Sequence, residues 1–168
     1  MSKTQSRRLR TGRHKAQLPQ RRRRRTQADR NGSAFRAHAA ERWARAVIRI
    51  IRSDSDPKTL AGWGRTLGAS RGALRAWCRA AHVQPRRALD FTRVLRAVVI
   101  SQGKTFDLTN LLDVVDDRTL IRLLKRGGVL ELKDQKSPPS PTEFISNQIF
   151  VQEDLAISAV LRLLIDQE

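Results

Sequence analysis

The chain has few of the residues that build disulfide frameworks, aromatic pockets or membrane spans. Its 168 residues include one cysteine, no tyrosine, three tryptophans and five phenylalanines. A single cysteine excludes an internal disulfide framework and a thiolate metal cluster, so a reducing compartment is expected. No apolar run reaches the roughly 18 residues of a transmembrane helix, and no membrane partner is expected. The first residues lack the apolar core of a secretory signal, and Arg21–Arg25 lack the apolar stripe of a transit peptide.

Catalytic groups are equally sparse and do not cluster. His14, His38 and His82 are scattered along the chain. Cys78 falls on the apolar face of a predicted helix, where it packs as a small apolar group. No glycine-rich phosphate loop follows a strand pattern. The chain is therefore not expected to be an enzyme, and neither a cofactor nor a metal is expected.

Acidic residues are scarce in the first 101 residues, and the net charge is +18. Residues 1–32 hold 12 Lys and Arg against one acid, residues 33–101 hold 14 against four, and residues 102–168 hold eight against 11. The first zone has too few apolar residues to offset its ordering entropy, so it is predicted to be a disordered basic arm. A surface for polyanions is expected in the first two zones.

Apolar residues recur at three- and four-residue steps and predict an all-α fold. The predicted helices cover about residues 33–52, 57–68, 70–81 and 85–102. Ser33, Asp56 and Ser70 are the predicted N-caps of the first three, and Pro85 opens the fourth. The buried stripe of the first helix is predicted to start at Phe35. In the fourth helix the residues predicted to face solvent are Arg86, Arg87, Arg93 and Arg96.

The second and third helices, about residues 57–82, match the pattern of a helix-turn-helix. Counted from Leu60 as the first of 20 positions, the apolar positions hold Trp63, Leu67, Leu74 and Trp77. Gly64 stands at the contact between the helices, which needs a small residue. Gly68 stands at the turn, which needs a left-handed conformation. An ordinary helical hairpin with a glycine turn is the alternative interpretation.

The outer face of the third helix is basic. It presents Ser70, Arg71, Gly72, Arg75 and Arg79, which are the predicted DNA-binding residues of a major-groove helix. Arginine is suited to bidentate contact with guanine. Arg86 and Arg87, at the start of the fourth helix, are also predicted to contact DNA. The run Arg21, Arg22, Arg23, Arg24 and Arg25 is predicted to contact phosphate, either without sequence preference or as a minor-groove arm.

This part of the chain resembles the AraC/XylS-type transcription regulators. The likeness lies in Leu67-Gly68-Ala69-Ser70 at the turn, Val83-Gln84-Pro85 before the fourth helix, and Arg93-Val94-Leu95-Arg96 within it. It covers about residues 57–101. It implies a bacterial regulator in the cytoplasm, associated with the nucleoid. It also implies a seven-helix DNA-binding region in which a linker helix, here residues 85–102, joins two helix-turn-helix units.

An internal repeat indicates a second unit over about residues 107–129. The residues Leu74, Trp77, Arg79 and Val83 recur 46 positions later as Leu120, Leu123, Lys125 and Val129. Asp116 or Asp117 is the predicted cap, and the turn lacks glycine. The residues predicted to face outward are Arg118, Thr119, Arg122, Lys125 and Arg126. This unit is either a degenerate one that contacts phosphate or a plain core hairpin.

The C-terminal third is apolar and acidic. Residues 129–132 are either a short strand or a helix exit, and they end the predicted helical DNA-binding domain of residues 33–132. Residues 133–141 form a Ser- and Pro-rich linker. Ser140 and Glu143 form a capping box for an amphipathic helical segment over 142–168. That segment either packs on the bundle or binds a second chain, as a homodimer or with a partner protein.

Taken together, the sequence favours a sequence-specific regulator of transcription whose partner is double-stranded DNA. The alternatives are a non-specific architectural or RNA-binding protein that depends on Arg21–Arg25, and an interaction module that depends on its C-terminal helix. Salt dependence separates the first two classes, because a specific binder keeps a preference for one duplex at physiological salt and a purely electrostatic binder does not. The function of an interaction module would survive removal of the arginines.

Overall fold

The computed structural model describes residues 18–148 and 154–166, and its described part is all-α, without a strand. The predicted fold class is confirmed. The described residues divide into two compact units, one up to Ser33 and one from Ala34 onward. The helices are α1 (Leu18–Ile51), α2 (Leu60–Leu67), α3 (Arg71–Ala80), α4 (Pro85–Ile100), α5 (Leu108–Leu111), α6 (Asp117–Gly127), α7 (Pro141–Ser146) and α8 (Asp154–Ile165). A short 3-10 helix covers Leu130–Asp134, which decides against a strand there.

The helix α1 begins well before its predicted cap. Its backbone is helical from Leu18, whereas the sequence predicts a start at Ser33 and disorder over residues 1–32. Arg, Gln and Ala are good helix formers, so local propensity favours helix even where no apolar face exists. Residues 1–17 lie outside the described residues, and the disorder predicted for them stays a prediction.

The buried face of α1 is narrower than predicted. Trp43, Val47 and Ile50 are fully buried, but Phe35 is 66% exposed. Seven residues make almost two full turns, so Phe35 lies about 20° from Arg42 around the axis. Phe35 therefore belongs to the basic side of the helix and not to its core side.

The helix α4 is the centre of the second unit. The helices α2, α3, α6 and α7 all pack against it. Phe91 of α4 stacks on Trp43 of α1 and on Phe144 of α7, with ring centroids 5.9 and 5.6 Å apart. The predicted role of α4 as a linker between two helix-turn-helix units stays a prediction. The helix begins at Pro85, as predicted.

Two predictions about polar residues of this region are wrong. The N-cap of α2 is Thr59, whose Oγ1 accepts a hydrogen bond of 3.0 Å from the Gly62 amide, and not Asp56. Asp56 instead accepts hydrogen bonds from Arg93, which is only 5% exposed and does not face solvent. A guanidinium can donate to both carboxylate oxygens at once, so Asp56 accepts more hydrogen bonds from Arg93 than it would accept as an N-cap.

The predicted C-terminal segment contains two helices, α7 and α8, and residues 149–153 lie outside the described residues. The Oγ of Ser140 accepts a 3.1 Å hydrogen bond from the Glu143 amide, which confirms the predicted cap. Phe144, Ile145 and Val160 are buried, α7 packs on α4, and α8 packs on α7. The described part of this segment thus packs on the bundle. None of the described helices has the length and apolar character that crossing a bilayer requires.

Candidate nucleic-acid interface

The helices α2 and α3 meet at Gly64. A β-carbon added there would lie 2.6 Å from the carbonyl oxygen of Ala69, which is far inside van der Waals contact. The Gly64 carbonyl itself accepts a 2.8 Å hydrogen bond from the Ala69 amide. The predicted need for a small residue is confirmed, because any side chain would push the turn, and α3 with it, away from α2.

The turn between these helices has the conformation that the sequence predicts. Gly68 adopts φ 64° and ψ 26°, and its amide donates to the carbonyls that end α2. A side chain in this left-handed region is disfavoured by contact between Cβ and the backbone. Ser70 then caps α3, and its Oγ accepts a 3.0 Å hydrogen bond from the Ala73 amide.

The inner face of α3 holds the helix firmly in the bundle. Leu74 and Cys78 are fully buried, and Trp77 is half-buried against the same core. Burial raises the pKa of the Cys78 thiol to about 12, so the thiol stays protonated and packs as an apolar group, as predicted. The orientation of α3 is therefore set by packing on one side and by Gly64 at one end.

The outer face of α3 presents its arginines to solvent. Arg71, Arg75 and Arg79 are exposed and share one side of the helix. None of the three side chains makes a hydrogen bond or an ion pair with a described residue. Gly72 is also exposed, and a β-carbon there would have only the Ser70 Oγ nearby, at 3.7 Å. This surface is positive, uncommitted and open to a ligand.

One exposed arginine of this helix pair is not among the DNA-binding residues predicted from the sequence. Arg65, in the last turn of α2, is exposed, and its side chain makes no hydrogen bond or ion pair with a described residue. Its place between the apolar Trp63 and Leu67 is the only sequence signal that it faces outward. It adds a cation on the first helix of the pair.

The predicted contacts Arg86 and Arg87 are partly engaged within the protein. Arg86 reaches the Lys58 carbonyl at 3.4 Å and lies 3.5 Å from the carboxylate of Asp90. Arg87 is half-buried and donates to the carbonyl of Arg126 at 3.2 Å. These bonds attach the start of α4 to its neighbours, so both residues support the fold. A DNA contact by either of them stays a prediction.

The second helix pair, α5 and α6, has a much shorter first helix than α2 and α3. The helix α5 has only four residues and is capped by Asp107. Asp113 takes the left-handed turn with φ 45°, in place of the missing glycine, and its carboxylate pairs with Lys58. Aspartate tolerates this conformation better than most residues with side chains. The pairing with the Lys58 ammonium lowers the pKa of Asp113, so the carboxylate stays ionised.

The outer face of α6 mixes both signs of charge. Arg118, Thr119, Arg122 and Lys125 are exposed as predicted. Arg126 is paired within the protein, because its guanidinium bonds the fully buried Asp90 at 2.6 Å, although 40% of its side chain stays exposed. The prediction that Arg126 faces outward is therefore correct only in part. Asp90, which the sequence does not place inside, bonds Arg126 and holds it against α4.

Two carboxylates stand at the N-terminus of α6, where α3 has none. Asp116 caps the helix by accepting from both the amide and the hydroxyl of Thr119, at 2.8 and 2.9 Å. These bonds, with the nearby charge of Arg122, lower the pKa of Asp116 and keep it ionised. Asp117 is exposed beside it and lies 3.4 Å from the Lys133 ammonium. This helix end therefore carries negative charge that the N-terminus of α3 does not have.

The remaining predicted contacts lie on the N-terminal part of α1. Arg21, Arg22, Arg23, Arg24 and Arg25 belong to its helical backbone, and their side chains lie outside the described residues. Phosphate contact by this run stays a prediction.

Comparison with protein-family models, curated proteins and solved structures finds no significant match to this chain. The resemblance to AraC/XylS-type regulators rests on short sequence motifs and stays a prediction.

Proposed function

We propose that this chain is a sequence-specific DNA-binding regulator of transcription, and that α3 enters the major groove. The observation that carries this proposal is the face of Arg71, Arg75 and Arg79, whose side chains are exposed and unpaired on a helix that is anchored by the fully buried Leu74 and Cys78. A helix held this rigidly can present side chains to base edges with a defined register. The tight approach of α2 and α3 at Gly64 supports a helix-turn-helix over an ordinary hairpin.

The position of each residue along α3 suggests its role. The N-terminal part of a recognition helix approaches base edges first, so Arg71 and Arg75 are the proposed base readers. Arginine donates two parallel hydrogen bonds to O6 and N7 of guanine. Arg79 lies one turn later and is proposed to contact phosphate. Ser70 and Gly72 add a hydroxyl and an open backbone at the helix start, where an anion is favoured.

The two helix pairs are proposed to form tandem units of unequal function. Arg118, Arg122 and Lys125 give α6 the means to contact phosphate. The ionised Asp116 and its neighbour Asp117 oppose insertion of the N-terminus of α6 into a groove. We therefore assign base readout to the first pair. The resemblance to AraC/XylS-type regulators adds a bacterial nucleoid location to this proposal.

The decisive experiment is selection of bound duplexes from a random pool by the full chain at physiological salt. An enriched motif supports specific readout. The double variant Arg71→Ala/Arg75→Ala is the matched control and should lose that motif while it keeps some affinity for DNA. Tight binding by the wild type without any enriched motif would contradict specific readout.

A non-specific architectural or RNA-binding protein is the second candidate, and the net charge of +18 favours it. Phosphate contacts supply nearly all of non-specific binding, so its affinity should fall steeply with salt. A specific binder instead keeps a preference for one duplex near physiological salt. Competition of duplex DNA against duplex RNA and single strands, repeated over a salt series, separates these outcomes.

A further inference from the structure

A second basic surface runs along α1 and belongs to none of the predicted contacts. Arg42, Arg45 and Arg49 lie on this helix, and Arg52 directly follows it. All four are exposed. Their steps of three, four and three residues repeat every seven, which keeps them within a narrow strip along the helix. We call these four residues the α1 stripe.

The α1 stripe is held on a rigid support. On the opposite side of the helix, Trp43, Val47 and Ile50 are fully buried, and Trp43 stacks on Phe91 of α4. From Arg42 to Arg52 the strip is about 15 Å long, at a rise of about 1.5 Å for each residue. Successive arginines are thus about 5 Å apart along the axis.

The cations of the stripe are almost uncompensated. Glu41 is the one carboxylate that pairs with it among the described residues, at 2.5 Å from Arg45. The guanidinium groups of Arg42, Arg49 and Arg52 make no hydrogen bond or ion pair with a described residue. Because surface arginines of a stable domain are commonly balanced by nearby acids, a strip with one acid for four cations indicates an anionic ligand.

The chemistry of the stripe favours a phosphate backbone over an acidic protein. Protein interfaces have an apolar centre with a polar rim, and the stripe has no apolar residue between its arginines. Phe35, the nearest exposed large apolar side chain on this side, lies beyond one end. A nucleic-acid strand offers a negative charge about every 3.4 Å along its axis, which a linear row of guanidinium groups can follow.

We propose that the α1 stripe binds the phosphate backbone of a DNA duplex as a contact surface additional to α3. This inference rests on the proposed function for the identity of the partner. Phosphate carries no direct sequence information, so the stripe contributes affinity and salt dependence but no base preference.

The test uses the full chain and two triple variants with the same change in net charge. The first, Arg42→Gln/Arg49→Gln/Arg52→Gln, removes the unpaired stripe cations. The matched control, Lys104→Gln/Lys136→Gln/Arg162→Gln, removes three cations that lie outside α1. These three side chains are also exposed. Glutamine and arginine have similar helix propensities, so both variants should fold, which circular dichroism checks. The probe is a labelled mixed-sequence duplex of about 30 base pairs, or three helical turns.

The measured quantity is the slope of log affinity against log salt. Each phosphate contact contributes about 0.9 to this slope, so the stripe variant should lose about 2 to 3 units and the control almost none. The ratio of affinities for a preferred and a scrambled duplex should stay the same in both variants. Equal changes in the two variants, or an unchanged slope in the stripe variant, would overturn the inference.

The outcomes also separate this inference from the proposed function. If the wild type shows no duplex preference but the stripe variant still loses slope, specific readout fails and the phosphate surface stands. If the wild type prefers one duplex but the salt slope does not depend on the stripe, specific readout stands and the phosphate surface fails. Absence of duplex binding by the wild-type chain would overturn both.

Discussion

The guanidinium of Arg93 holds the carboxylate of Asp56 through three hydrogen bonds of 2.9, 3.1 and 2.7 Å, across 37 residues of sequence. The same guanidinium donates to the Leu112 carbonyl at 2.5 Å. One side chain of α4 therefore connects the segment before α2 with the end of α5. The surface pair of Lys58 and Asp113 joins the same two segments. Together these contacts hold the two helix pairs on one support.

Removal of this contact should destabilise the whole second unit. The variant Arg93→Ala leaves the largely buried Asp56 without its partner, and loss of one member of such a pair costs about 3–5 kcal/mol. Urea unfolding followed by circular dichroism measures the loss. Arg96→Ala is the control, because Arg96 is half-buried and bonds only backbone carbonyls, at 3.3 and 3.5 Å. A loss below about 1 kcal/mol for Arg93→Ala, within the range of exposed pairs, would contradict the structural role.

Two glycines of the first helix pair should respond oppositely to alanine. In Gly64→Ala the new methyl group meets the Ala69 backbone at 2.6 Å, and such overpacking costs about 1–3 kcal/mol. In Gly72→Ala the methyl group meets nothing closer than 3.7 Å, so the better helix propensity should stabilise the protein by up to about 1 kcal/mol. Thermal melting of both variants checks this. Similar shifts of the melting temperature in both variants would contradict the close contact at Gly64.

The buried thiol of Cys78 should make stability fall at alkaline pH. Its pKa is raised from 9.0 to about 12, so below pH 9 the folded and unfolded states are both protonated and the contribution is complete. Above pH 9 the unfolded thiol ionises first, which favours unfolding by about 1.4 kcal/mol for each pH unit until the folded pKa is reached. Cys78→Ala lacks this titration and is the reference. Above pH 9 the unfolding free energy of the wild type should fall relative to that of the variant. A difference that stays constant with pH would contradict the burial.

The arginines of α3 should divide into base readers and a phosphate contact. Arg71→Ala and Arg75→Ala should each lose about 1–3 kcal/mol on the preferred duplex and relax the choice of base at one position. Arg79→Ala should weaken preferred and scrambled duplexes alike. Replacing a base reader by lysine restores the charge but not the planar fork, so rescue should be incomplete. Binding of each variant to both duplexes at one fixed salt concentration measures these effects. Equal losses on both duplexes for Arg71→Ala and Arg75→Ala would leave α3 with phosphate contact alone.

Local signals explain why much of the first helix pair is predictable from sequence. The cap at Ser70, the turn at Gly68 and the start of α4 at Pro85 each depend on residues within three or four positions. The buried side of α3 follows equally from the spacing of Leu74 and Cys78. Short-range backbone geometry and helical periodicity are properties of neighbouring residues, and so the sequence alone determined these elements and the exposed face of Arg71, Arg75 and Arg79.

The exposure and the pairing partners of the other charged residues were decided only by tertiary structure. Sequence chemistry places arginines in solvent, yet Arg93 is buried and Arg126 is drawn to Asp90. Both partners are carboxylates more than 30 residues away, and only the packing of α4 brings them close. The α1 stripe is likewise exposed because the opposite side of α1 is buried in the core, an arrangement that also leaves Phe35 exposed. Partner choice between distant segments depends on how the helices pack, which local patterns of three or four residues do not encode.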